Sequence, residues 1–250
     1  MDVPIVCLIW HFFTVSKVLI STGYPYKSAK MTEVIDLEDN NVTCKDLEDF
    51  SWRYQGAVGA NLASMPIICG GHFSNGSDHS SEKCFVYIPK FGLGWRYFVS
   101  MIDRRAGAAG IVYENGFHIF GGYDRSTSTL LQSSEIVNED GTTTEGPQLP
   151  TPMHFHAIAS INSSVSIITG GIPKANMYDR TDKTWYFNHA TWEFQPGPNL
   201  LKPRTSHSSA TITDQESKEK IVIVAGGKTH AGYYVNSPEF LINGEWETGK

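Results

Sequence analysis

Short apolar runs stopped by glycine dominate the pattern of this chain. Four of them, Pro66-Ile-Ile-Cys, Phe117-His-Ile-Phe, Val165-Ser-Ile-Ile-Thr and Ile221-Val-Ile-Val-Ala, lead into the glycine pairs Gly70-Gly71, Gly121-Gly122, Gly170-Gly171 and Gly226-Gly227. A short run rich in β-branched residues and ended by glycine predicts a buried strand. The pairs stand 51, 49 and 56 residues apart. A constant stride of this size predicts a repeat architecture.

More of the unit returns in phase. Gly146-Pro-Gln-Leu149 and Gly197-Pro-Asn-Leu200 lie 51 residues apart, and Pro152 with His156 is matched by Pro203 with His207. Arg105 falls where Arg204 does, Met153 stands in the arginine place of the unit between them, and Ala108 takes a histidine place. The longest interval is explained by extra residues around 214–220, a charged turn of the kind that accepts insertion at little cost. Each unit then resolves into four strands: 56–62, 66–69, 83–88 and 94–100; 107–113, 117–120, 133–137 and 143–146; 155–161, 165–169, 183–188 and 191–195; and 208–213, 220–225, 239–242 and 245–247. Glu114-Asn115-Gly116 supplies a hairpin turn. No amphipathic helical stretch exceeds two turns, so the fold class is all-β.

A period near fifty, four strands per period and a glycine pair closing the second strand resemble the kelch repeat, over roughly residues 56–250. The resemblance implies a β-propeller whose blades are four-stranded antiparallel sheets packed around a channel, with repeats at about 56–103, 104–153, 154–204 and 205–250. Physical reasoning agrees, because one four-stranded sheet cannot bury both faces alone. The paired glycines are expected to permit positive φ and close backbone approach. Trp95, Trp192 and Trp246 are placed in fourth strands, filling gaps between sheets as core and not as ligand-stacking groups. His156 and His207 are taken as structural hydrogen-bonding residues, with no metal site. Residues 31–37 and 43–47 look like the last two strands of a blade within 24–55 whose first two strands are absent. The expectation is four to five blades, incomplete at the C-terminus, from a truncated chain.

Composition narrows the partners. Of 250 residues, 18% are charged and 12% aromatic, enough for a core and against disorder. A net charge of −6 argues against nucleic acid, and no apolar stretch is long enough for a spanning helix. Met1 to Val15 carries roughly 13 mostly apolar residues, the size of a signal-peptide core. Small residues Ser21 and Gly23 suit cleavage near residue 23, while Asp2 and Lys17 fit that reading poorly; the alternative is a buried N-terminal strand. The sequons at Asn41, Asn75 and Asn162 fall in connections between strands, as N-glycosylation requires. Secretion is therefore the expected localisation, with no stable membrane insertion once the leader is gone.

Removal of the leader leaves Cys44, Cys69 and Cys84. Cys69 ends a second strand and Cys84 opens a third, so a hairpin brings them together. A Cys69–Cys84 disulfide is expected, Cys44 with either is the competing pairing, and three buried thiols follow if the N-terminus is not a leader. No nucleophile elbow, zinc-protease motif, P-loop or dinucleotide fingerprint occurs. The expected function is a non-catalytic interaction or scaffold module, needing no cofactor, that binds another protein through the blade-end loops 72–81, 123–132 and 172–182. Two alternatives stand beside it. A galactose-oxidase-like copper radical enzyme needs converging tyrosines, two histidines and a tyrosine-linked cysteine, a set the sequence does not assemble. An intracellular ubiquitin-ligase substrate adaptor needs domains ahead of the propeller for which the first 55 residues are too short.

Overall fold

Each glycine-stopped run forms the second strand of a four-stranded antiparallel sheet. The computed structural model describes residues 9–11, 17–21, 32–36, 45–46, 50, 54–73, 79–88, 94–174, 179–214, 216–230 and 233–249. Among them there are five such sheets and no helix. The first blade is β1 (Ile9–His11), β2 (Lys17–Ser21), β3 (Thr32–Asp36) and β4 (Lys45–Asp46). The second is β5 (Tyr54–Leu62), β6 (Met65–Phe73), β7 (Lys83–Ile88) and β8 (Gly94–Ser100). The third is β9 (Ala109–Tyr113), β10 (Gly116–Phe120), β13 (Ser134–Asn138) and β14 (Thr143–Glu145), with a small separate hairpin, β11 (Tyr123–Asp124) and β12 (Thr129–Leu130), between its second and third strands. The fourth is β15 (Ala157–Ser160), β16 (Val165–Thr169), β17 (Thr184–Asn188) and β18 (Glu193–Pro196), and the fifth is β19 (Ser208–Thr213), β20 (Lys220–Ala225), β21 (Glu239–Ile242) and β22 (Glu245–Thr248). First strands of successive blades lie side by side, β1 on β5, β5 on β9, β9 on β15 and β15 on β19, so the sheets fan around one axis.

The unbroken apolar runs have a simple cause. Side chains alternate between sheet faces, and a blade's second strand is covered on both. Ile67 and Cys69 pack toward the third blade with Phe117 and Ile119, while Ile68 points the other way, to Phe50, Tyr54 and Trp95. In the fourth blade Ile168 joins Phe120, Leu149, Met153 and Phe187 on one side, and Ile167 joins Val222, Val224 and Trp246 on the other. Full burial of one such isoleucine is worth about 1.5–3 kcal/mol.

The glycine pairs do two different jobs at these junctions. Gly121 and Gly122 both have positive φ, 59° and 108°. A Cβ on the first glycine of a pair, at Gly70, Gly121 or Gly170, would sit under 3.0 Å from the carbonyl oxygen of Arg105, Met153 or Arg204, in the segment that begins the next blade. The second glycine of each pair donates its N–H to that same carbonyl: Gly71 to Arg105, Gly122 to Met153 and Gly171 to Arg204, each at 2.8 Å.

Four expectations are corrected. Residues 9–21 hold two strands, and β2 pairs with β3, so the blade expected within 24–55 has four strands and not two; its first pair comes from the stretch expected as leader, because a leader core and a strand pair share the same apolar composition. Asn41, Cys44 and Asn75 lie outside the described residues. Trp95 and Trp246 are buried, but Trp192 is 47% exposed with φ of 60°, in the turn ahead of β18, since the β17–β18 pairing begins only at Asn188 and Glu193. The turn before β10 uses Glu114 and Asn115 at its tip, with Gly116 already paired to Tyr113. The 123–132 connection, expected as loop, carries the β11–β12 hairpin.

A second internal device replaces a single conserved recipe. Arg105 and Glu135 form an ion pair with both side chains buried, and Glu135 also accepts the backbone N–H groups of Ile102 and Asp103, the latter at 2.9 Å. Arg204 and Glu239 repeat it, with Leu201 N–H and Lys202 N–H donating to Glu239 at 2.7 and 3.2 Å. In the fourth blade all three parts change together. Met153 replaces the cation and Trp185, packed against the cluster holding Met153, replaces the carboxylate. Pro150, which has no N–H to satisfy, stands where Ile102 does. Removing one partner of a buried pair leaves an uncompensated charge. Arg105→Met therefore costs about 3–5 kcal/mol in urea unfolding. Adding Ile102→Pro and Glu135→Trp, which copies the fourth blade's trio, recovers more than half of that loss; no recovery would show that the three positions do not act as a set.

Candidate partner-binding face

Connections between second and third strands emerge at equivalent places in the repeats. Isolated bridges tie them back to their own blades: Ala106 to Tyr123, His154 to Ile172 and Thr205 to Lys228. The two expected loops 72–81 and 172–182 are described except for 74–78 and 175–178. Neighbouring loops are pinned to one another. Ser80 Oγ donates to the Tyr123 carbonyl at 3.1 Å and accepts from Arg125 N–H at 3.0 Å. Arg180 donates its backbone N–H to His230 Nδ1 at 3.3 Å and its guanidinium to the His230 carbonyl at 3.2 Å. The disulfide Cys69–Cys84 joins directly opposed residues of β6 and β7, at the root of the first of these loops.

What this face presents is aromatic and cationic. Tyr233 is 74% and Tyr234 65% exposed, with Lys228 Nζ 5.1 Å from the Tyr234 ring centre. Arg125 is exposed at the tip of the β11–β12 hairpin, whose turn is held by Asp124 accepting from Ser126 N–H and Thr127 Oγ1. The fourth-repeat loop around Tyr233 was not among the loops singled out from sequence; its alignment with 72–81, 123–132 and 172–182 was the available signal.

The opposite end carries the hairpin turns and a cleft of about 480 Å³ lined by Tyr113, Glu114, His118, Asn138, His189 and Trp192. Tyr113 stacks on His189 at 4.4 Å, and His189 Nε2 pairs with Ser166 Oγ at 2.8 Å. Among the described residues this serine–histidine pair has no third member: His189 Nδ1 finds no hydrogen-bond partner there, and Ser166 is 1% exposed. Burial, with His118 nearby, pushes the His189 imidazole down to about 4. His207 bonds through Nε2 to Thr169 at 2.9 Å as a structural residue should, whereas His156 is buried with no side-chain hydrogen-bond partner, its ring facing the Phe120 backbone and its edge filling the space beside Gly121. Among the described residues no three His, Cys, Asp or Glu side chains converge as metal ligands. Cys69 and Cys84 are bonded to each other, so neither is available for linkage to a tyrosine. Asn162, the one sequon asparagine described, is exposed in the β15–β16 turn, its Oδ1 accepting from Ser164 and Val165 N–H at 2.9 and 2.8 Å.

No family model matches the chain. Spermatocyte protein spe-26 of Caenorhabditis elegans is 30% identical over 126 residues, 50% of this chain and 21% of that protein, so the match spans about a fifth of the relative's length. A solved structure described as the structure of YjhT superposes with a TM-score of 0.82 at 14% identity, covering 100% of this chain and 85% of that one. That likeness, with the five fanned sheets, establishes the fold as a β-propeller.

Proposed function

We propose that the chain is a kelch-type propeller module that binds another protein through its loop face, performs no catalysis, and works outside the cell. The carrying observation is the loop end itself: Tyr233, Tyr234 and Arg125, residue types that dominate binding energy at protein interfaces, stand exposed on connections braced by rigid sheets. An oxidising compartment is supported by the Cys69–Cys84 bond.

Cross-linked capture from extracellular fluid tests the binding reading. A protein recovered by the native chain should be lost with Tyr233→Ala/Tyr234→Ala and kept with Trp192→Ala, the melting temperature of both variants being unchanged. The reverse pattern would move the site to the turn end. N-glycosidase treatment of protein from its own cells should shift its mobility, and mapping of the mature N-terminus shows whether residues 9–21 stay as strands. No shift, together with alkylatable thiols at Cys69 and Cys84, would place the protein inside the cell.

A further inference from the structure

We propose that the outer face of the fifth blade is an inter-blade surface that receives one more four-stranded blade of the same kind, carried in the same polypeptide. The proposal rests on the fold and not on the binding role. At three junctions the position three before the first glycine points to the next blade and is buried: Ile67, His118 and Ile167. The position immediately before that glycine behaves likewise, with Cys69, Phe120 and Thr169 at 0% exposure. In the fifth blade the corresponding residues are Ile223, only half-buried, and Ala225, exposed. Cross-strand register sets Ile223 on one face with Ala210 and Phe240, and Ile212 beside Ile221 on that face, with Ile212 43% exposed. The opposite face, Val222 and Val224, is packed on the fourth blade.

The backbone repeats the message. Around the axis Gly107 N–H donates to Gly56, Phe155 N–H to Gly107 and Ser206 N–H to Phe155, at 2.7, 2.7 and 2.9 Å, so the Ser206 carbonyl is the acceptor next in line. Gly226 and Gly227 keep the positive φ of the other pairs, 72° and 90°, yet among the described residues no atom lies within 4 Å of a Cβ on Gly226. At the other three pairs that space holds a carbonyl of the following blade. The occupant is thereby specified: a sheet with a β-branched inner face, preceded by a link whose carbonyl accepts from Gly227 N–H and whose first strand donates to Ser206.

The test appends a second copy of residues 197–249 after Thr248, which supplies such a link and blade in cis. The melting temperature should rise by about 5 °C or more. Gly226→Ala, mild in the 250-residue chain, should become as costly in the extended chain as Gly121→Ala. In the unextended chain Ile223→Asp should be tolerated while Ile167→Asp prevents folding. The proposal fails if extension brings no rise and leaves Gly226→Ala mild, or if Ile223→Asp unfolds the monomer. It fails equally if the 250-residue chain sediments as a dimer that Ile223→Asp dissociates, which would seat a second copy there.

Discussion

Gly121→Val should cost about 4 kcal/mol or more and leave little folded protein at 37 °C. Two independent penalties add at this position. A β-branched residue held at φ of 59° is strained by about 1–3 kcal/mol. Its Cβ would also fall under 3.0 Å from the Met153 carbonyl, backbone that cannot swing aside, and would press on Leu149 and the His156 ring. The same substitution at Gly226 separates the penalties, because φ is similar at 72° but no atom of the described residues stands within 4 Å. Gly226→Val should show the conformational part alone. Equal urea midpoints for the two variants would mean that close approach between blades contributes nothing.

Mild acid should unfold the protein. His118, His154, His156, His189 and His207 are all buried, and burial pushes them down to about 4, 4, 3, 4 and 3. Neighbouring charge adds to burial, His154 lowering His156 and Arg204 lowering His207, against a smaller opposing effect of the Phe120 and Thr169 backbone hydrogen bonds. The unfolded chain takes up protons below about pH 6.5, whereas the native chain resists them until the depressed values are reached. Stability is therefore complete above pH 6.5 and falls as the pH drops from there toward 4. One imidazole held to about 4 forfeits up to about 3 kcal/mol over that window. Five do not add in full, because a ring that gains a proton can leave its site. A fall in melting temperature of about 10 °C or more between pH 7.5 and 5 is expected, with His118→Gln flattening the curve; a level curve across that range would contradict the burial of these rings as neutral groups.

The strand plan from residue 54 onward was legible because both signals that carry it are local: a buried two-faced strand is an unbroken apolar run, and the glycine pair marks its end. Glu135 and Glu239 were not legible, since each meets its arginine across about thirty residues and looks locally like any strand-edge carboxylate. Aligning repeats would have exposed them, as proline, methionine and tryptophan replace the link residue, the arginine and the glutamate together. Trp192 misled for the opposite reason. It falls near the phase of Trp95 and Trp246, but relative to the tryptophan its fourth strand starts two residues later, which leaves the ring in the turn. At the N-terminus the apolar content was visible and its use was not, because hydrophobicity alone does not distinguish an export sequence from a strand pair. The loop face was seen in three repeats of four; the connection of the last repeat, as long and polar as the others, was passed over, although its place in the repeat marks it as their equivalent.

The brace between a link and the third strand of its own blade fixes where this protein can be cut and recombined. Arg105 lies before β9 and Glu135 after β10, so a graft that began at the strand would separate donor from acceptor and strand a carboxylate in apolar surroundings. The transplantable cassette starts at the link, near Met101, and ends with the fourth strand. Gene duplications that kept that reading frame would have inherited matched partners at once, and each copy was then free to exchange its whole trio without consulting its neighbours.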